Sequence, residues 1–353
     1  MTARRRQVLA VALAALAALP GCGRRRGPPA VDALDGAPLP VARFGPQALV
    51  ADLAAHDDEL GGVSGIVASR AHAETLWAIS DTATQLFAIR TTGADVEVAR
   101  TRVRGVRRFD WEDLAWFEDG GVPFLMIADV GTNRPASAAR RRAGAQVGQL
   151  HVVREPRPGD AETDVLRTVT FTLPCEPIRD IESVAVDVER REILLVEKRA
   201  PVKRLLVLDL DQDHHAPTAD DWTPITLPDL YGWERQPASL GARHLYQTSW
   251  RRNPTALDVR GRRAVLLTNR HAYVYERAAR ASWRDAFAAR PRQLPIPFRV
   301  ELPGAAAWTV PAGAAPTLPQ REAACFAANG AAVFVASERR GGPEAWLAVF
   351  RRR

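Results

Sequence analysis

Cysteine is almost missing: Cys22, Cys175 and Cys325 are the only three in 353 residues, and no Cys-x-x-Cys pattern occurs, which leaves a thiolate metal site without support. The chain also has no Gly-x-Ser-x-Gly elbow, no Gly-rich phosphate loop and no His-Glu-x-x-His, so neither nucleophilic serine chemistry nor a zincin site is signalled. Lysine stands only at Lys198 and Lys203, and arginine supplies all the rest of the 48 lysines and arginines. The high isoelectric point therefore reflects composition, as expected of a GC-rich genome, and is no signal of nucleic-acid binding. Helical periodicity is scarce as well, confined to Pro46–Asp58 and Ser282–Ala289. The only long apolar run, Val8–Leu19, is too short for a membrane span of roughly twenty residues.

That run has a different reading. Arg4-Arg5-Arg6 precedes it and Leu19-Pro20-Gly21-Cys22 ends it, the order of an export signal that resembles the lipobox of bacterial lipoproteins. The resemblance implies cleavage before Cys22, lipidation of Cys22, and attachment to the outer or cytoplasmic membrane of the cell envelope. Arg5-Arg6-Gln7-Val8-Leu9 also resembles a twin-arginine signal, so export by either general route is open. Loss of Arg4–Arg6 lowers the formal charge from +7 to +4. The expected organisation is a signal over 1–21, a flexible Arg/Pro/Gly/Ala-rich tether over 22–40 that could touch anionic headgroups, and one domain over 41–353.

Within that domain one pattern recurs. Asp110-Trp111-Glu112-Asp113-Leu114-Ala115 is echoed by Asp180-Ile181-Glu182-Ser183-Val184-Ala185 and by Arg321-Glu322-Ala323-Ala324. Each is followed by an apolar run ending in an acid, at Asp129, Glu197 and Glu338. Self-similarity at this spacing marks a fold of repeated supersecondary units. The short runs between Gly, Pro, Asp and Arg clusters read as strands. Four per unit predict an all-β chain, a β-propeller of four-stranded blades. Five units are visible, the last lacking an outer strand that Pro40–Phe44 could supply from the N-terminus. A sixth could be housed in 211–250, around His244-Leu245-Tyr246-Gln247-Thr248, or in 304–319. Cys175 and Cys325 fall in non-adjacent units, and Cys325 reads as a small buried hydrophobe.

The Asp110–Ala115 motif followed by Ile127-Ala128-Asp129-Val130-Gly131-Thr132-Asn133 resembles exported bacterial β-propellers with a "DWED(I/L)A … GD(I/V)GDN" signature, grouped near the esterase-like phytase propellers. The resemblance spans roughly residues 60 to 350 and speaks for the fold more than for a substrate. Thr132 departs from it, standing where the family usually has Asp.

Aligned on the repeat, two sets of positions emerge: Ser64, Glu112, Glu182, Asn253 and Glu322 at the start of each inner strand, and Asp81, Asp129, Glu197, Asn269 and Glu338 at the end of the next, at offsets of 17, 17, 15, 16 and 16. Antiparallel neighbours bring both sets to one face, at the mouth of the central channel. There Glu112, Glu182 and Glu322 should converge and raise one another's pKa unless a cation intervenes. That cation could be Ca²⁺, or the basic residue after the second set at Lys198, Arg270 and Arg339. The acids could equally be salt-bridge partners that fix neighbouring blades. His271 beside Asn269 is a weaker candidate for proton transfer. His214-His215 reads as a solvated loop, Trp111 as packing between blades rather than a stacking platform, and Arg140-Arg141-Arg142 as an exposed insertion. The expected function is a monomeric, lipid-anchored module that binds a small-molecule or protein ligand or serves as a scaffold. The alternative is a Ca²⁺-dependent hydrolase of phosphoesters or lactones, which phytase-like and gluconolactonase-like propellers suggest.

Overall fold

The computed structural model describes residues 42, 44–92, 95–107, 110–132, 145–174, 179–200, 202–227, 252–294, 296, 318, 320–339 and 344–352. The chain opens with strand β1 (Phe44–Asp52), a helical turn α1 (Leu53–His56) and a 3-10 turn at Asp58–Gly62. A first unit holds β2 (Val63–Ala68), β3 (Thr75–Ser80), β4 (Gln85–Thr92) and β5 (Asp95–Arg104). The second holds β6 (Trp111–Asp119), β7 (Val122–Asp129), β8 (Ala145–Arg154) and β9 (Glu162–Pro174). The third is β10 (Ile181–Asp187), β11 (Glu192–Glu197), β12 (Arg204–Asp209), the two-residue β13 (His214–His215) and β14 (Trp222–Pro224). The fourth is β15 (Pro254–Arg260), β16 (Arg263–Thr268), β17 (Ala272–Glu276), helix α2 (Trp283–Ala288) and β18 (Arg292–Leu294). Last come β19 (Gln320–Phe326), β20 (Ala332–Glu338) and β21 (Trp346–Arg352).

Within each unit consecutive strands pair antiparallel, save that β13 pairs in parallel with β9 while β12 pairs with β14, and β1 pairs with β21 to complete the last unit. The first strands lie side by side in a closed cycle: β2 beside β6, β6 beside β10, β10 beside β15, β15 beside β19, and β19 beside β2. They are covered on both faces, which is why β2 and β10 are buried at every residue. Outer strands see solvent on one side, and β9 accordingly alternates in burial along its length. This is the organisation of a β-propeller. The tight turn from β6 to β7 uses Gly120 and Gly121 at φ 59° and 76°, two left-handed positions that suit the twist of a hairpin. Apolar layers fill the spaces between neighbouring units, for example Ala115, Met126 and Leu150 against Ile181, Val184 and Leu195. The outer edges of β5 and β9 also join in parallel, making one continuous sheet of the first two units.

Several expectations shift. Closure comes from the N-terminal side, but through Phe44–Asp52 rather than Pro40–Phe44. Part of the expected helix over Pro46–Asp58 is thus strand, because the open edge of β21 captures it as a ladder. Helix survives only at Leu53–His56, where the Asp52 side chain accepts the Ala54 N–H at 3.1 Å. The outer strand of the fourth unit is Arg292–Leu294. The helix expected at Ser282–Ala289 is α2, closed by a Ser282/Asp285 capping box. His214 and His215 form a short parallel rung on β9 rather than a free loop. The signal, Cys22, the tether, Arg140–Arg142, Cys175, the segment around His244 and most of 304–319 lie outside the described residues.

Candidate functional site

Every first strand carries an irregularity near its start. Ser64, Glu112, Thr255 and Glu322 are each the extra residue opposite two successive partners on the next strand, and in the third unit Glu182 and Ser183 together oppose Val196. A bulge re-aims a side chain, which strict alternation would not permit. Four of these residues, Ser64, Glu112, Glu182 and Glu322, line a single axial cavity of about 280 Å³ with Asp81, Asp110, Lys198, Gln320 and Glu338. The expected convergence of Glu112, Glu182 and Glu322 is therefore present, and Glu338 joins it.

The same registers correct the alignment read from the sequence. In the fourth unit the bulged residue is Thr255, two places beyond Asn253. The carbonyl of Asn253 accepts the Asn269 N–H at 3.1 Å, as that of Asp110 accepts from Gly131 and that of Asp180 from Lys198, so Asn253 corresponds to Asp110 and Asp180. The Asn253 side chain accepts from Lys203 Nζ at 2.8 Å, and neither Asn253 nor Asn269 lines the cavity. Asp129 and Glu197 also stand apart from it. They pair directly with Trp111 and Ile181, whereas Asp81, Lys198 and Glu338 stand one residue further along their own strands. One place along a strand is the opposite face. Asp129 accepts the Asp110 N–H at 2.7 Å and has His151 Nε2 at 3.7 Å, while Glu197 takes both oxygens to Arg179 at 2.8 and 2.9 Å. Both acids thus hold segments of their own unit rather than linking neighbouring blades.

Inside the cavity six carboxylates face one ammonium among the described lining residues. Lys198 Nζ donates to Glu182 Oε2. Burial works against the Lys198 charge, but Glu182, Glu322 and Glu112 outweigh it and hold its pKa above the usual lysine range. Burial, then Glu182 and Asp110, push Glu112 well above the usual carboxylate range. Glu182 is raised by burial too, with Lys198 pulling it back. Lys198 lowers both acids, and it weighs more on Glu182, to which it donates, than on Glu112. Just behind, Lys203 donates to the Lys198 carbonyl, and burial with the nearby Arg252 pushes its pKa down to about 7.

The packing leaves no slack around these groups. A Cβ on Gly131 would fall 2.5 Å from Asp110 Oδ2 and closer still to Glu112 Oε1, so a bare Cα is what lets both carboxylates fit. Ser64 is buried, lines the cavity, and its hydroxyl has no hydrogen-bond partner among the described residues.

Asp113, on the next residue of β6, is completely buried and holds three first strands across the axis. Its Oδ1 accepts Leu114 N–H at 2.9 Å, and its Oδ2 accepts Val184 N–H at 2.8 Å and Leu257 N–H at 3.0 Å. Burial pushes its pKa well up and the three donors oppose that. Its sequence signal is a break in the repeat: the other units have Gly65, Ser183, Ala256 and Ala323 there. Asp110, also missed as a site residue, had its signal in the Asp-x-Glu spacing shared with Asp180 and Glu182.

His271 does not line the cavity. It is buried, its Nδ1 accepts the Ile296 N–H at 3.1 Å, and burial with Arg321 and Arg270 lowers its pKa to about 3. Arg339 pairs with Asp58 at 2.7 Å. Trp111 is fully buried in the apolar layer, as packing requires. Cys325 is a buried free thiol.

No protein-family model matches the chain, and no characterised protein matches it in sequence. Several hundred solved chains overlap it in fold, three of them as follows. The PQQ-bound aldose sugar dehydrogenase of Streptomyces coelicolor shares 10% identity over 88% of this chain and 99% of its own, with a TM-score of 0.39. A luciferin-regenerating enzyme shares 9% over 87% and 95%, at 0.41. The calcium-binding protein regucalcin of Agrobacterium tumefaciens shares 10% over 89% and 97%, at 0.42. At this level of likeness neither the PQQ of the first nor the calcium of the third transfers to this chain.

Proposed function

We propose that the protein is a lipid-anchored, five-bladed β-propeller of the cell envelope that binds a small organic cation, an amine, in the axial cavity. Five blades are supported by the closed cycle of first strands, in which β10 and β15 adjoin directly and leave no place between them for another. Lipid anchoring is supported by Leu19-Pro20-Gly21-Cys22 behind its basic and apolar segments. The observation that carries the ligand is the docking of the Lys198 ammonium among the cavity carboxylates, with acidic groups from three further units around it. The cavity already accommodates one primary ammonium. Its size of about 280 Å³ suits a small molecule and not an oligosaccharide. The Ser64 hydroxyl supplies a polar group without a protein partner.

A Ca²⁺-dependent hydrolase of phosphoesters or lactones is the second reading, favoured by the all-oxygen character of Glu112, Glu182 and Glu322 on one cavity. As arranged these residues do not fit a bare ion. No group of three His, Cys, Asp or Glu among the described residues has the spacing of a metal site, and Lys198 already supplies a cation at Glu182.

Calorimetric titration of the full chain with 1,4-diaminobutane and, separately, with CaCl₂ tests both. Heat with the diamine that disappears in a Glu112→Gln, Glu338→Gln variant is the expected result. Heat with Ca²⁺ alone overturns the amine reading in favour of the hydrolase. No heat and no change in melting temperature with either overturns both.

A further inference from the structure

A second cavity, of about 260 Å³, lies where the outer edges of the fourth and fifth units meet. Ala42 bridges these edges, donating its N–H to the Gln293 carbonyl at 2.8 Å, and Phe44 pairs with Arg352, so both ends of the described chain meet here. The lining is strongly one-signed: Arg263, Arg290, Arg292 and Arg352 against the single carboxylate of Glu276. Neither the Arg292 nor the Arg352 guanidinium has a hydrogen-bond or ion-pair partner among the described residues. Arg263 is held in place, donating to the Gly330 carbonyl at 3.2 Å and stacking 5.2 Å over Phe326. Burial, then Arg352, lower its pKa, with Glu276 across the strand pair opposing them. Phe44 and Val274 give the cavity an apolar wall.

We infer that this cavity binds a phosphate group, held by Arg263, Arg292 and Arg352, with the carbon part of the ligand against Phe44 and Val274. The chemistry favours phosphate over carboxylate. One guanidinium fork saturates the two oxygens of a carboxylate, whereas a tetrahedral phosphate offers three or four oxygens to several forks at once. Two sources present that group: a soluble phosphate ester, or the headgroup of an anionic phospholipid beside which the N-terminal tether would hold this edge.

The test uses the full chain and the Arg292→Gln, Arg352→Gln double variant; both side chains are solvent-facing, so the fold does not depend on them. Glycerol 3-phosphate is titrated calorimetrically, and flotation is compared on phosphatidylglycerol and phosphatidylcholine vesicles. The expected result is binding of the phosphate ester that weakens about tenfold or more in the variant. A matching arginine-dependent preference for phosphatidylglycerol identifies the headgroup as the source, and its absence identifies the soluble ester. The inference is overturned if no phosphate species binds, or if the double variant binds as wild type does.

Discussion

The Lys198 ammonium lies against the Glu182 carboxylate at the mouth of the channel, and beyond it Glu112 is half-buried with Asp110 as its near neighbour. An acid whose pKa is raised favours folding only while it stays protonated. The folded chain then holds a proton that the unfolded chain releases above about pH 4.3, so stability falls as pH climbs from there toward the raised folded value. Melting temperature should therefore decline between pH 5 and pH 8 in the unliganded protein. Glu112→Gln keeps the shape and removes the titration, so its decline should be shallower and its melting temperature higher at pH 8 by a few degrees, at about 2–4 °C per kcal/mol for a domain this large. Parallel curves for the two proteins would show that Glu112 is ionised in the fold.

Gly131 gives a test of the cavity that spares its acids. Because a Cβ there would overlap the space of Glu112 Oε1 and Asp110 Oδ2, Gly131→Ala should displace both carboxylates. The expected outcome is a loss of amine affinity of about tenfold, roughly the 1.4 kcal/mol of one displaced charge-assisted contact, with a circular dichroism spectrum like that of wild type. Unchanged affinity would mean that the two acids take no part in binding.

Asp113 should matter to stability. Asp113→Ala strands the N–H groups of Leu114, Val184 and Leu257 in the buried centre of the ring, at about 1–3 kcal/mol for each buried donor left unpaired. Urea denaturation should show a loss of several kcal/mol or failure to fold. Asp113→Asn retains one accepting oxygen and should fall between. A stability equal to wild type in the Ala variant would mean that water reaches the axis.

The proposed lipidation rests on one residue, Cys22. Cys22→Ser should abolish incorporation of labelled palmitate in bacterial cells and move the protein from the membrane to the soluble envelope fraction. Undiminished labelling would place the acyl group elsewhere, and no label in the wild type would mean that the chain is not acylated.

Much of this molecule could be read before any coordinates. The Asp-x-Glu repeats and short apolar runs identify four-stranded units, because an inner strand covered on both faces must be apolar along its length, as Ile181–Asp187 largely is. They also place Glu112, Glu182 and Glu322 together, since equivalent positions in a closed ring share one end of the axis. What the tertiary structure alone decided is where each side chain points. The nearly constant offset between the two sets hid a bulge in every first strand, and a slip of one residue exchanges the two faces. Asp129 and Glu197 thus turned to Asp110 and Arg179, Thr255 took the place assigned to Asn253, and Lys198 reached Glu182 inside the cavity. Composition and spacing determine which chemistry is present and at which end of the fold. The face it serves depends on ladder register, which backbone hydrogen bonds to other strands set.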